Sequence, residues 1–111
     1  MDPQPDDPSG EPEVTIVTLV FETADADRLL PVLSKYVVVS RGHPGCRNID
    51  LTASATVAGR FVVIEKWASP AAQQAHFDSP DMVEMATSCT GLLLAPPRID
   101  LLFGISAHDL A

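Results

Sequence analysis

Arg60-Phe61-Val62-Val63-Ile64-Glu65-Lys66-Trp67-Ala68-Ser69-Pro70 is the segment on which the fold turns. Its first part is rich in β-branched and aromatic residues. Ser69 then supplies a helix N-cap and Pro70 a first helical residue, so the chain passes from strand to helix within a few positions and runs on through Phe77. Alternation places Phe61, Val63, Glu65 and Trp67 on one side of the strand. A carboxylate there is costly to bury unless hydrogen-bonded, so Glu65 is expected to cap a helix, pair with an arginine or face a wet pocket. Trp67 by itself is equally well a core residue. His76 lies on the following helix, on the face of Ala72 and Ala75, whose small side chains leave room beside it. A lone helix histidine is equally well a solvated one.

Upstream of this segment, Arg47 to Ser54 reads as a second strand, joined to it as a hairpin through Thr56-Val57-Ala58-Gly59, where the glycine can supply a positive φ. Before that strand, Arg41-Gly42-His43-Pro44-Gly45-Cys46 is a turn that ends a helix. The helix is capped by Asp25 or Asp27, and Leu29, Leu33, Tyr36, Val37 and Ser40 form its inward stripe. Pro31 fits only near its first turn, and Val37-Val38-Val39 are poor helix formers. Glu13 to Phe21 is a first strand with apolar side chains on both faces. Downstream, Ser79-Pro80-Asp81 repeats the helix-start device for a segment with Met82, Met85 and Ala86 on one face. Pro96 and Pro97 break the chain. Arg98 to Ile105 then alternates as a last strand, with Ile99, Leu101, Phe103 and Ile105 on one side.

This order predicts an α+β, ferredoxin-like βαββαβ domain with an antiparallel sheet over residues 13–111. Its first and third strands are central. Helices cover one sheet face only, so the second apolar face of the first strand calls for a cover outside the monomer, most simply a second copy. Residues Met1 to Pro12 hold four prolines and four carboxylates and no large apolar side chain after Met1, and are expected to form a disordered acidic tail.

Composition narrows the function. Seven Lys and Arg against fifteen Asp and Glu give a formal charge of −8, which argues against nucleic acid or an anionic membrane as partner. The amino terminus is acidic and no apolar stretch is long enough to span a bilayer, so the expected location is cytoplasmic. Cys46 and Cys89 are expected to be free, buried thiols. No Gly-rich phosphate loop stands at a strand-to-helix turn, and no Ser-His-Asp, zinc or paired-carboxylate pattern is present.

The ordered set of a helix, the Arg41–Cys46 turn, a hairpin ending in Glu65-Lys66-Trp67, and a Ser69-Pro70 helix carrying His76 resembles the antibiotic biosynthesis monooxygenase family, from about Glu13 to about Ile105. The resemblance implies a homodimer that pairs sheet against sheet as a dimeric α/β barrel, each subunit keeping a pocket between its own sheet and helices. It places Trp67 and His76 on cavity-lining positions and carries no further. Tyr36, Phe77 and Glu65 join them as pocket walls by geometry: Tyr36 on the inward helix stripe, Phe77 adjacent to His76. His43, in a turn, is expected to be solvated.

The implied activity is a cofactor-independent monooxygenase acting on a small aromatic, quinol or polyketide-like substrate. A deprotonated electron-rich substrate passes an electron to molecular oxygen by itself, so the protein need only remove a proton, hold the anion and exclude water. His76, as an imidazole titrating near neutrality, would be base or orienter, and the Trp67 N–H a hydrogen-bond donor. Two alternatives stand beside this reading. One is a haem-binding or haem-degrading protein with His76 on the iron, although the Asn typical of the first strand in such relatives is missing from Val14 to Phe21. The other is a non-catalytic dimeric module that binds a small apolar ligand.

Overall fold

Val17, Leu19 and Phe21 alternate with Ile16, Thr18 and Val20. This period lays Thr15–Glu22 down as β1, with the first set buried and the second half-exposed. The computed structural model describes residues 14–107. After β1 come α1 (Ala26–Ser40), β2 (Cys46–Ala53), β3 (Arg60–Trp67), α2 (Pro70–Phe77), α3 (Pro80–Ser88) and β4 (Arg98–Phe103). The four strands form one antiparallel sheet in the order β2-β3-β1-β4, so β1 and β3 are central as the topology requires. The expected tail, Met1 to Pro12, lies outside the described residues. Among those described, no helix is long and apolar enough to cross a membrane.

Register decides what the site can contain. Thr15 pairs with Trp67, Val17 with Glu65, Leu19 with Val63 and Phe21 with Phe61, so one sheet face carries all of these toward the helices. A bulge at Arg47 inserts one residue into β2. Cys46 therefore pairs with Trp67 while Ile49 pairs with Glu65, and both face the helices despite their odd spacing. The core packs Val17, Leu19, Phe21, Ile49, Val63 and Trp67 against Leu29, Leu33, Tyr36 and Val37 of α1, with Met85 of α3.

Several local expectations need correction. α1 begins at Ala26 under an Asp25 N-cap, which puts Pro31 in the second turn rather than the first. There it lacks the N–H that would reach the Asp27 carbonyl, and its ring faces solvent. The helix does run to Ser40 on the expected stripe, the Val37-Val38-Val39 run included, because burial of Tyr36, Val37 and Ser40 outweighs poor propensity. Ala75 points outward while Gln73 and His76 are buried. β4 ends at Phe103, and Ile105 lies beyond it, fully exposed.

Candidate active site

Two helix starts and one turn bring the polar residues together. Ser69 accepts from the Ala72 amide and Ser79 from the Met82 amide, fixing α2 and α3 just after β3. The turn before β2 is clamped from both sides. The Arg41 guanidinium donates to the Ile49 carbonyl through Nε and Nη2, at 3.2 and 2.8 Å. Gly45 adopts φ +80° with its α-carbon so near α2 that an added Cβ would stand 2.4 Å from the Ala72 Cβ. His43 is thereby held against α2 and α3.

The result is a continuous hydrogen-bonded cluster under the sheet. Glu65 is fully buried and accepts from the Tyr36 hydroxyl and, at 3.0 Å, from the Trp67 indole N–H. Tyr36 Oη also lies 2.7 Å from His76 Nε2. The other nitrogen of that ring, Nδ1, is 2.9 Å from His43 Nδ1, and His43 Nε2 is 2.7 Å from Asp81 Oδ2. The Trp67 indole stacks on the His76 imidazole with centroids 4.5 Å apart and planes at 27°.

Burial sets the electrostatics. Desolvation pushes the Glu65 carboxyl above the usual carboxylate range, against the opposing effect of its bonds from Tyr36 and Trp67. It lowers His76 to about 4, helped by the nearby His43 and opposed by Asp81, so this imidazole is neutral near pH 7. Tyr36 is raised, first by burial and then by Glu65. Cys46 is raised by burial and by Glu65, and both it and Cys89 are free thiols.

Sequence reasoning named Tyr36, Glu65, Trp67 and His76, and all four meet here. Glu65 caps no helix and meets no arginine. Its partners are a phenol and an indole. Phe77 stands apart from the cluster, 41% exposed. With Leu19, Phe21, Met82, Met85 and Ile99 it lines an apolar cavity of 310 Å³ between the sheet and α2–α3. A smaller groove of 210 Å³ between α1 and α3 is lined by Lys35, Tyr36, Asp81 and Glu84 among others. Two members of the cluster were missed. His43 was expected in solvent, and Asp81 only as a helix-start residue. Their neighbours are distant in sequence, and the one local hint was a histidine held in a Gly-Pro-Gly turn.

The antibiotic biosynthesis monooxygenase family model matches residues 12–88, which span the whole cluster. The chain belongs to this family. Rv0793 of Mycobacterium tuberculosis superposes at a TM-score of 0.78 with 26% identity, over 86% of this chain and 99% of its own. A Caulobacter crescentus protein provisionally assigned as an antibiotic biosynthesis monooxygenase also gives 0.78, at 22% identity over 86% and 92%. A Nitrosomonas europaea protein of unknown function gives 0.77, at 18% identity over 92% and 99%. The last two are similar in fold. No curated protein matches the chain significantly.

Haem fits this family member poorly. Both His76 nitrogens are engaged, by Tyr36 and His43, and the ring is buried behind Trp67, so neither nitrogen of His76 is presented to an iron. Among the described residues no cluster of His, Cys, Asp and Glu is arranged to hold a metal ion.

Proposed function

We propose that this family member is a cofactor-independent monooxygenase that oxidises a small aromatic, quinol or polyketide-like substrate with molecular oxygen. The supporting observation is the apolar cavity standing beside a buried acid–base cluster. Met85 lines both this cavity and the groove bordered by Tyr36 and Asp81. The cavity's 310 Å³ suits a small planar molecule, and its walls are almost wholly aliphatic, aromatic or thioether. In this reading the substrate hydroxyl gives its proton to the cluster, where Glu65 is the carboxylate of raised basicity and Tyr36 its contact. Trp67 holds Glu65 by its N–H, and His76 orients Tyr36. The apolar walls of the cavity limit the water around the anion while the substrate passes electrons to oxygen. The substrate supplies all four electrons and loses two hydrogens: one oxygen atom enters it and the other leaves as water.

The assembly is proposed with it. Members of the family are typically dimeric. Ile16, Val20, Val62, Ile64 and Leu102 lie on the sheet face away from the helices, where a second copy would cover them.

An oxygen-uptake assay over hydroquinones, naphthols and anthrones tests the activity. Uptake is expected with at least one of them, and Ala86→Phe, which fills the cavity from an exposed helix position, is expected to abolish it at unchanged melting temperature. A second reading, a non-catalytic binding module, is favoured by one fact: Tyr36 bonds to both Glu65 and His76, Trp67 bonds to Glu65, and none of the four lines the apolar cavity. Aromatic ligands that bind in the cavity without any oxygen uptake would establish that reading and refute the oxygenase.

A further inference from the structure

The cluster is a chain of five groups, each able to hand a proton to the next. Asp81, His43, His76, Tyr36 and Glu65 make four consecutive contacts, of 2.7, 2.9 and 2.7 Å and the short Tyr36–Glu65 bond. The three interior groups are two imidazoles and a phenol, which donate on one side and accept on the other. The two ends are carboxylates. Each contact needs one hydrogen, so four hydrogens satisfy the whole chain.

Those four hydrogens have more than one complete arrangement. With both carboxylates ionised, His43 carries two hydrogens and donates to Asp81 and to His76 Nδ1. His76 Nε2–H then donates to Tyr36, and Tyr36 O–H to Glu65. If each of the three inner contacts passes its hydrogen one step, Glu65 becomes the neutral acid, donating to Tyr36. Tyr36 then donates to His76 Nε2, His76 Nδ1–H to His43, and His43 Nε2–H still to Asp81. No group loses a partner in either state, and the net event is one proton moved from His43 to Glu65. Side-chain exposure falls from 39% at Asp81 and 18% at His43 to 2% at His76 and 1% at Glu65, so the path has a wet end and a dry end.

We propose that Asp81 and His43 are the solvent terminus of a proton relay through which the buried Glu65 exchanges its proton with bulk water. This deepens the proposed oxygenase reading and rests on it for the identity of the proton donor. A proton taken from substrate at Glu65 leaves by way of Tyr36, His76 and His43 to Asp81, which resets the carboxylate, and one proton returns from solvent when the second oxygen atom leaves as water. The lowered basicity of His76 suits a conduit, since a ring that kept a second proton would stall the transfer. Among the described residues, Cys46 beside Glu65 and Lys35, which pairs with Glu84, near Asp81 also face the path.

NMR of the free protein tests the relay without any substrate. The Glu65 carboxyl carbon, assigned by Glu65→Gln, and the ring nitrogens of His76 are followed against pH. In the wild type they are expected to shift with one common midpoint. In His43→Phe, which keeps the bulk and cuts the path, the Glu65 and His76 signals are expected to lose that midpoint. A Glu65 titration identical in the two proteins, or a His76 tautomer that never changes while Glu65 titrates, would overturn the relay. If a substrate is found, His43→Ala is expected to slow oxygen uptake about 100-fold and added imidazole to restore part of it. Imidazole rescue separates proton transfer from mere support of the fold, and its absence in a folded variant counts against the relay. Failure of every substrate would refute the oxygenase while the NMR result still decides the relay.

Discussion

Glu65 is tolerated under the sheet because a phenol and an indole both donate to it, and removing either donor leaves a buried oxygen without a partner. Tyr36→Phe keeps the ring and deletes the hydroxyl that serves Glu65 and His76 together. It is expected to destabilise the protein by about 2–3 kcal/mol in urea unfolding at neutral pH. The same burial makes stability depend on pH in opposite senses. His76 falls to about 4 from an ordinary 6.5, so between those values the unfolded chain binds more protons and its term raises stability as pH rises, by up to about 3 kcal/mol. Glu65 is raised instead, so the folded state binds more protons and its term lowers stability as pH climbs above the ordinary carboxylate value of 4.5. In His76→Gln only the second term remains. The variant is expected to lose stability from pH 4.5 to 6.5 relative to the wild type, read from urea midpoints across that range.

At the scale of elements, the site depends on how closely the turn before β2 approaches α2. The missing side chain at Gly45 permits that approach, and its positive φ adds a second demand for glycine. Gly45→Ala is expected to cost about 2–3 kcal/mol, part from the backbone and part from the collision with Ala72. Combining it with Ala72→Gly should recover the collision share, and a double variant no more stable than Gly45→Ala would show that the contact is unimportant. α1 offers the opposite case. Its exposed Pro31 removes one helix bond and serves no visible contact in the core, so Pro31→Ala is expected to raise stability by about 1–2 kcal/mol, measured by thermal and urea unfolding.

For the molecule as a whole, the sheet presents one face to its own helices and leaves Ile16, Val20, Val62, Ile64 and Leu102 on the other, with Ile64 39% and Leu102 46% exposed. Such a face, continuous across the central strands, is what a self-complementary interface needs. Ile64→Asp would place a carboxylate at its middle. The wild type is expected to sediment as a dimer at micromolar concentration and Ile64→Asp as a folded monomer. A wild-type monomer under those conditions would contradict the proposed assembly.

Element order, the strand-to-helix junction at Trp67-Ala68-Ser69-Pro70 and the inward stripe of α1 were legible in the sequence because each rests on local signals: period, caps and turn residues. The gathering of Tyr36, Glu65, Trp67 and His76 followed from those faces and from the family resemblance. Where the sequence misled, distance along the chain was the cause. The bulge that turns Cys46 and Ile49 to the same side has no marker in composition. His43 looked solvated because a turn residue usually is. It joined the cluster because Gly45 let the turn close onto α2, and because α2 and α3 brought His76 and Asp81 to its two nitrogens from 33 and 38 positions away. Local chemistry thus decided the elements, while hydrogen-bond partners so far apart in the chain were decided only when the tertiary fold removed the water that would otherwise have served them.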